Sequence, residues 1–88
     1  MDYEFREVVF TIKELAREII AACDAYKSRK INSTDLRKYM FYYANHYPDK
    51  LFNGPDINPT IKTLIGKKRA SVLNEMLSGY QVTIFKGI

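Results

Sequence analysis

The chain holds one cysteine, one histidine and no run of apolar residues long enough to cross a bilayer, and each scarcity removes a class of protein. Cys23 alone cannot close an internal disulfide, and its place in an apolar helical stripe predicts a buried thiol in a reducing compartment. His46 alone rules out multi-histidine metal sites and leaves any nucleophile-base pair resting on a single residue near a helix end. A membrane span needs about 20 consecutive apolar residues, and the amino terminus begins acidic, unlike a secretion signal. A cytoplasmic protein with no membrane association is the expectation.

What is present is apolar and aromatic. Of 88 residues, 47% are hydrophobic and 14% aromatic, enough for one self-supporting domain over residues 1–88 and too few residues for two cores. The net charge of +4 is unevenly placed. Residues 1–24 carry six acids against three bases, net −3, whereas residues 25–88 carry eleven bases against four acids, net +7. An anionic partner, nucleic acid or an acidic protein surface, is expected on the basic part.

The hydrophobic spacing predicts a mainly α fold, a small bundle of three to four helices with short terminal strands. Residues 3–10 are aromatic and β-branched and read as a strand or extended arm. A helix over 11–27 opens with Thr11 as cap, Glu14 completing a capping box, and Phe10 and Leu15 placed as a hydrophobic staple. A second helix over 32–47 starts at Asn32 or Ser33, with Ile31 placed to staple onto Leu36, and stops before Pro48. Residues 48–58 are dense in turn formers and read as a loop, anchored by Leu51 and Phe52. Asn58 and Pro59 are a cap and a proline at the first helical position.

Gly66 divides the last helical stretch. An unbroken helix from Pro59 would rotate Leu73 and Leu77 away from the stripe of Ile61 and Ile65, so two helices are expected, 59–65 and 67–78, with Gly66 as the break. Residues 80–86 alternate as a strand, placed to pair with residues 3–10 in the same chain or in a second copy, as a homodimer.

No constellation builds a catalytic or metal site, and no cofactor is implied. Asp49 and Asp56 lack the alternating oxygen ligands of a calcium loop and read as turn formers. A non-enzymatic binding protein is therefore expected. The sharpest candidate is the basic helix start after Gly66, where Lys62, Gly66, Lys67, Lys68 and Arg69 would present amides and cations to a phosphate, with Lys27, Arg29 and Lys30 extending the patch. The plainer alternative is that Gly66 merely ends a helix and the cations are solvated. A second surface is the outer face of the 32–47 helix, where Arg37, Lys38, Phe41 and Tyr42 set aromatics beside cations, as a partner-binding face or one covered by the chain's own tails or loop.

Ile65-Gly66-Lys67-Lys68-Arg69-Ala70 resembles the second half of a helix-hairpin-helix turn, departing from it in having Leu64 where the first glycine is expected. That resemblance implies a salt-sensitive, non-sequence-specific grip on DNA. Together Asp24-Ala25-Tyr26, Ile31-Asn32-Ser33-Thr34-Asp35-Leu36, Lys50-Leu51-Phe52-Asn53-Gly54 and Ile65-Gly66-Lys67-Lys68-Arg69 resemble a family of short uncharacterised helical proteins from Firmicutes and their mobile elements. It implies a compact helical fold and a phage or mobile-element setting, and supplies no activity or functional residues. A protein-protein inhibitor or adaptor, for example one blocking a host defence complex, stands beside nucleic-acid binding as the alternative.

Overall fold

Capping chemistry sets the first boundary of the fold. In the computed structural model, which describes residues 4–54 and 56–78, helix α1 runs Ile12–Lys27. The Thr11 hydroxyl accepts from the Glu14 amide at 3.0 Å, and the Glu14 carboxylate accepts from the amides of Thr11 at 3.1 Å and Phe10 at 2.7 Å. Three amides are thereby satisfied at one helix start, which is the expected capping box with an extra bond. The staple does not form, for Phe10 is 76% exposed.

The far end of α1 closes with Arg29 in the left-handed region, φ 65°. The Lys30 amide donates to the Ala25 carbonyl at 2.8 Å and the Arg29 amide to the Tyr26 carbonyl at 3.0 Å, the paired bonds of a Schellman motif. Glycine ordinarily takes that position, so a cationic residue there holds a conformation that costs about 1–3 kcal/mol.

Helix α2, Ser33–His46, is capped by the Asn32 side chain, which accepts from the Asp35 amide at 2.8 Å. The stretch expected as a loop is more ordered than that. Pro48 opens a single helical turn, α3 (Pro48–Leu51), because its ring suits a first helical position and the Tyr47 carbonyl receives the amides of Lys50 and Leu51. Strands β1 (Phe52–Asn53) and β2 (Asp56–Ile57) then form a two-residue antiparallel ladder, Phe52 opposite Ile57. Asn58 ties the hairpin down, its side chain donating to the Lys50 carbonyl and accepting from the Thr60 amide, which starts helix α4 (Pro59–Ile65).

Gly66 separates α4 from α5, Lys67–Leu77, as the register of the apolar residues requires. Its φ of 87° and ψ of 164° lie where almost only glycine goes, and an added Cβ would meet nothing within 4 Å, so backbone conformation, not crowding, demands glycine.

Among the described residues the sheet is this hairpin in the middle of the chain. Residues 4–10 are an extended arm with no ladder among the described residues, and the expected strand at 80–86 lies outside those described. The core joins all the helices through Leu15, Ile19, Leu36, Met40, Tyr43, Leu51, Ile61, Ile65 and Leu73. Helix α1 packs chiefly against α4 and α2 against α5, which brings the start of α5 beside the last turns of α1.

Candidate functional site

This packing leaves two surfaces to consider. The first is the start of α5. Gly66 has no side chain to offer as a cap, no acid stands in the first turn, and Lys67, Lys68 and Arg69 occupy its first three positions. The aligned peptide dipoles make a helix start positive, so cations there are opposed by about 0.3–1 kcal/mol each at an exposed site. Lys67 and Lys68 are exposed and have no ion-pair partner among the described residues.

Arg69 is placed differently. Its guanidinium grips both carboxylate oxygens of Asp24, with Nη2 at 3.0 Å from Oδ1 and Nε at 3.1 Å, and a third nitrogen donates to the Ile65 carbonyl at 3.3 Å. That carbonyl belongs to the last residue of α4, where helical bonding has stopped. Arg69 thus caps α4 and fastens the α4–α5 joint to α1. Of the residues expected to face a phosphate, it is the one with an ion-pair partner among the described residues.

Beside this joint lies a cleft of about 340 Å³, lined by the apolar or aromatic Cys23, Tyr26 and Val72 and by the charged Asp24, Lys27, Lys68 and Arg69. Lys27, the last residue of α1, and Lys68 line the same opening. Burial, the dominant influence, pushes the Cys23 thiol up to about 11 against the opposing pull of Arg69, with Asp24 adding to the rise. The thiol is therefore protonated and unreactive at neutral pH, an apolar wall. Lys62 is exposed on α4, one turn before Gly66, and does not line the cleft. Arg29, Lys30 and Lys27 edge a separate depression at the α1–α2 turn that also shares Tyr26.

The second surface, the outer face of α2, is largely used by the chain itself. Phe5 of the arm stacks on Tyr39 at 4.3 Å between ring centres and meets Tyr42 edge-on at 5.3 Å. The hydroxyls of Tyr43 and Tyr47 donate to the carbonyls of Arg6 and Glu7, and Tyr47 also accepts from the Val9 amide. Arg37 donates to the Met76 carbonyl at 2.8 Å, capping the end of α5, and Phe41 is half-buried against the core. Burial first, and then Glu7 and Tyr47, raise the Tyr42 phenol above its ordinary value. Lys38 alone of the expected four is exposed. The sequence left open whether the chain's own tails or loop cover this face; the arm lies over Tyr39 and Tyr42, through contacts with α2 that span 34–40 residues and so leave no local signal.

His46 is exposed near the end of α2, its ring 4.1 Å from that of Tyr42. Asp49 and Asp56 are exposed on α3 and β2. Among the described residues no three of histidine, cysteine, aspartate and glutamate gather as a metal site, and no helix is long and apolar enough to cross a membrane.

A family model described as a conserved hypothetical protein matches residues 6–78, from the arm to the end of α5. No curated protein and no solved structure gives a significant match.

Proposed function

The chain belongs to this family of conserved hypothetical proteins, and from its own surface we propose a small non-enzymatic binding protein that engages an anionic partner, most simply nucleic acid, through the start of α5. One observation carries it. A helix start with no cap, no acid and Lys-Lys-Arg in its first turn sets like charge against like, at a cost to stability that a bound phosphate reverses. Lys67 and Lys68 supply the cations, Gly66 lets a backbone approach, Lys27 adds charge from α1, and Lys62 guides from α4. Arg69 holds the joint that displays them.

The test is titration of the protein with single-stranded and duplex DNA and RNA across a salt series, wild type against Lys67→Glu/Lys68→Glu. Arg69 is left in place, because a carboxylate there would face Asp24 and damage the joint. Loss of two phosphate contacts should lower the slope of log affinity against log salt by about 1.4–1.8. Binding that is weak in wild type and indifferent to the double change sinks the proposal.

The phage or mobile-element setting, the Firmicutes origin and the likeness of Ile65–Ala70 to a helix-hairpin-helix turn belong to the same proposal, resting on those local motifs. A cytoplasmic location rests on the single buried thiol of Cys23. A second reading, a protein-protein inhibitor or adaptor such as one acting on a host defence complex, is favoured by a different observation. Val8 is 55% exposed and Phe10 76%, so the arm that covers α2 offers apolar side chains of its own. Partner capture lost on Val8→Ser/Phe10→Ser, with nucleic-acid binding absent, would favour it.

A further inference from the structure

Resting on the phosphate-binding reading above, we propose that the cleft between α1 and α5 seats one unstacked base of a single-stranded nucleic acid. Its volume of about 340 Å³ falls in the range of pockets that hold small organic groups. Its make-up matches a nucleotide's two halves. Cys23, Tyr26 and Val72 give the cleft an apolar lining that suits a flat ring, and Lys27 and Lys68 line the same cleft, where they would meet the attached phosphate. Asp24 and Arg69, which also line it, are already bonded to one another.

A duplex keeps its bases stacked and paired, so it can offer this cleft phosphates but no ring. A single strand can turn a base out against an aromatic side chain, a contact every base can make through its face. Tyr26 and Lys27 also border the neighbouring depression at the α1–α2 turn, which adds Arg29 and Lys30. A backbone leaving the cleft therefore meets further cations, which suits a strand of several nucleotides better than a free mononucleotide.

The experiment is fluorescence anisotropy with the full chain and three labelled probes: a short single-stranded DNA, an abasic strand of equal length and charge, and the matching duplex. The intact strand should bind about tenfold or more tighter than the abasic strand and the duplex. Val72→Phe, which fills the cleft, and Tyr26→Leu, which keeps apolar packing but removes the ring, should each erase that preference while leaving the salt-sensitive remainder, with circular dichroism melting confirming that both fold. Equal affinity for intact and abasic strands in wild type, or a duplex that binds as tightly as the single strand, overturns base seating and leaves the phosphate grip standing. Failure of all three probes to bind overturns the phosphate grip itself, and base seating with it.

Discussion

Arg69 reaches back 45 residues to clamp Asp24, and the same guanidinium holds the carbonyl of Ile65 at the end of the preceding helix. A side chain that could have been one more surface cation instead joins α1, α4 and α5. This separates structural from displayed charge within a single run of three basic residues.

The separation predicts unequal costs. Arg69→Ala should lower unfolding free energy by about 1 kcal/mol, since it loses a partly exposed ion pair and a carbonyl bond. Arg69→Lys should recover little, because an ammonium cannot make the two-pronged contact. Lys67→Ala and Lys68→Ala should stay within about 0.5 kcal/mol of wild type in urea denaturation. Equal losses at all three positions would contradict the division.

Gly66 carries the second prediction. With φ 87° and ψ 164° and open space where a Cβ would stand, Gly66→Ala should cost about 1–3 kcal/mol through backbone strain alone. D-alanine, whose preferred backbone is the mirror image, should be tolerated in a synthetic chain. If L- and D-alanine prove equally harmful in thermal melting, strain is not the cause.

Cys23 gives a pH dependence. Its folded value of about 11 exceeds the ordinary 9.0, so between those values the unfolded chain has released its thiol proton while the folded one retains it. Stability then falls as pH rises from about 9 to about 11, by roughly 1–3 kcal/mol, and this contribution is fully present below pH 9. Urea denaturation at pH 8 and pH 10.5, comparing wild type with Cys23→Ala, isolates the effect from other titrating groups. A difference between the two proteins that does not change with pH would refute it.

The arm supplies the fourth. Tyr47→Phe removes the bond to the Glu7 carbonyl and the acceptor of the Val9 amide together, leaving the ring in place. Hydrogen exchange at Val9 should quicken while the amides of α1 and α4 keep their protection, and global stability should fall by about 1 kcal/mol. Unchanged exchange at Val9 would mean that the hydroxyl does not hold the arm.

Much of this architecture was legible in local chemistry. Thr11 with Glu14, Asn32, Asn58 with Pro59, and Gly66 each mark a helix boundary by a bond or dihedral made within four residues, and all stand within one residue of the boundaries expected. The turn of helix at Pro48–Leu51 and the hairpin after it were hidden because a stretch rich in proline, asparagine and glycine gives the same signal for an ordered hairpin as for a loop. The candidate site was legible in part. Lys67 and Lys68 declare themselves by their place directly after Gly66, but the partnership of Arg69 with Asp24, and the cleft that joins Tyr26 to Val72, depend on helices brought together by the core. Spacing along the chain carries no trace of either.

The most direct measurement is the pairing of stability with binding in Lys67→Glu/Lys68→Glu. Acids in the first turn of a helix are favoured where these lysines are opposed, so the variant should melt at the same temperature as wild type or a few degrees higher, yet lose about tenfold or more in affinity for single-stranded DNA at low salt. A variant that melts lower and binds the strand as well as wild type would show that the lysines serve the fold, and that no anion is taken at the start of α5.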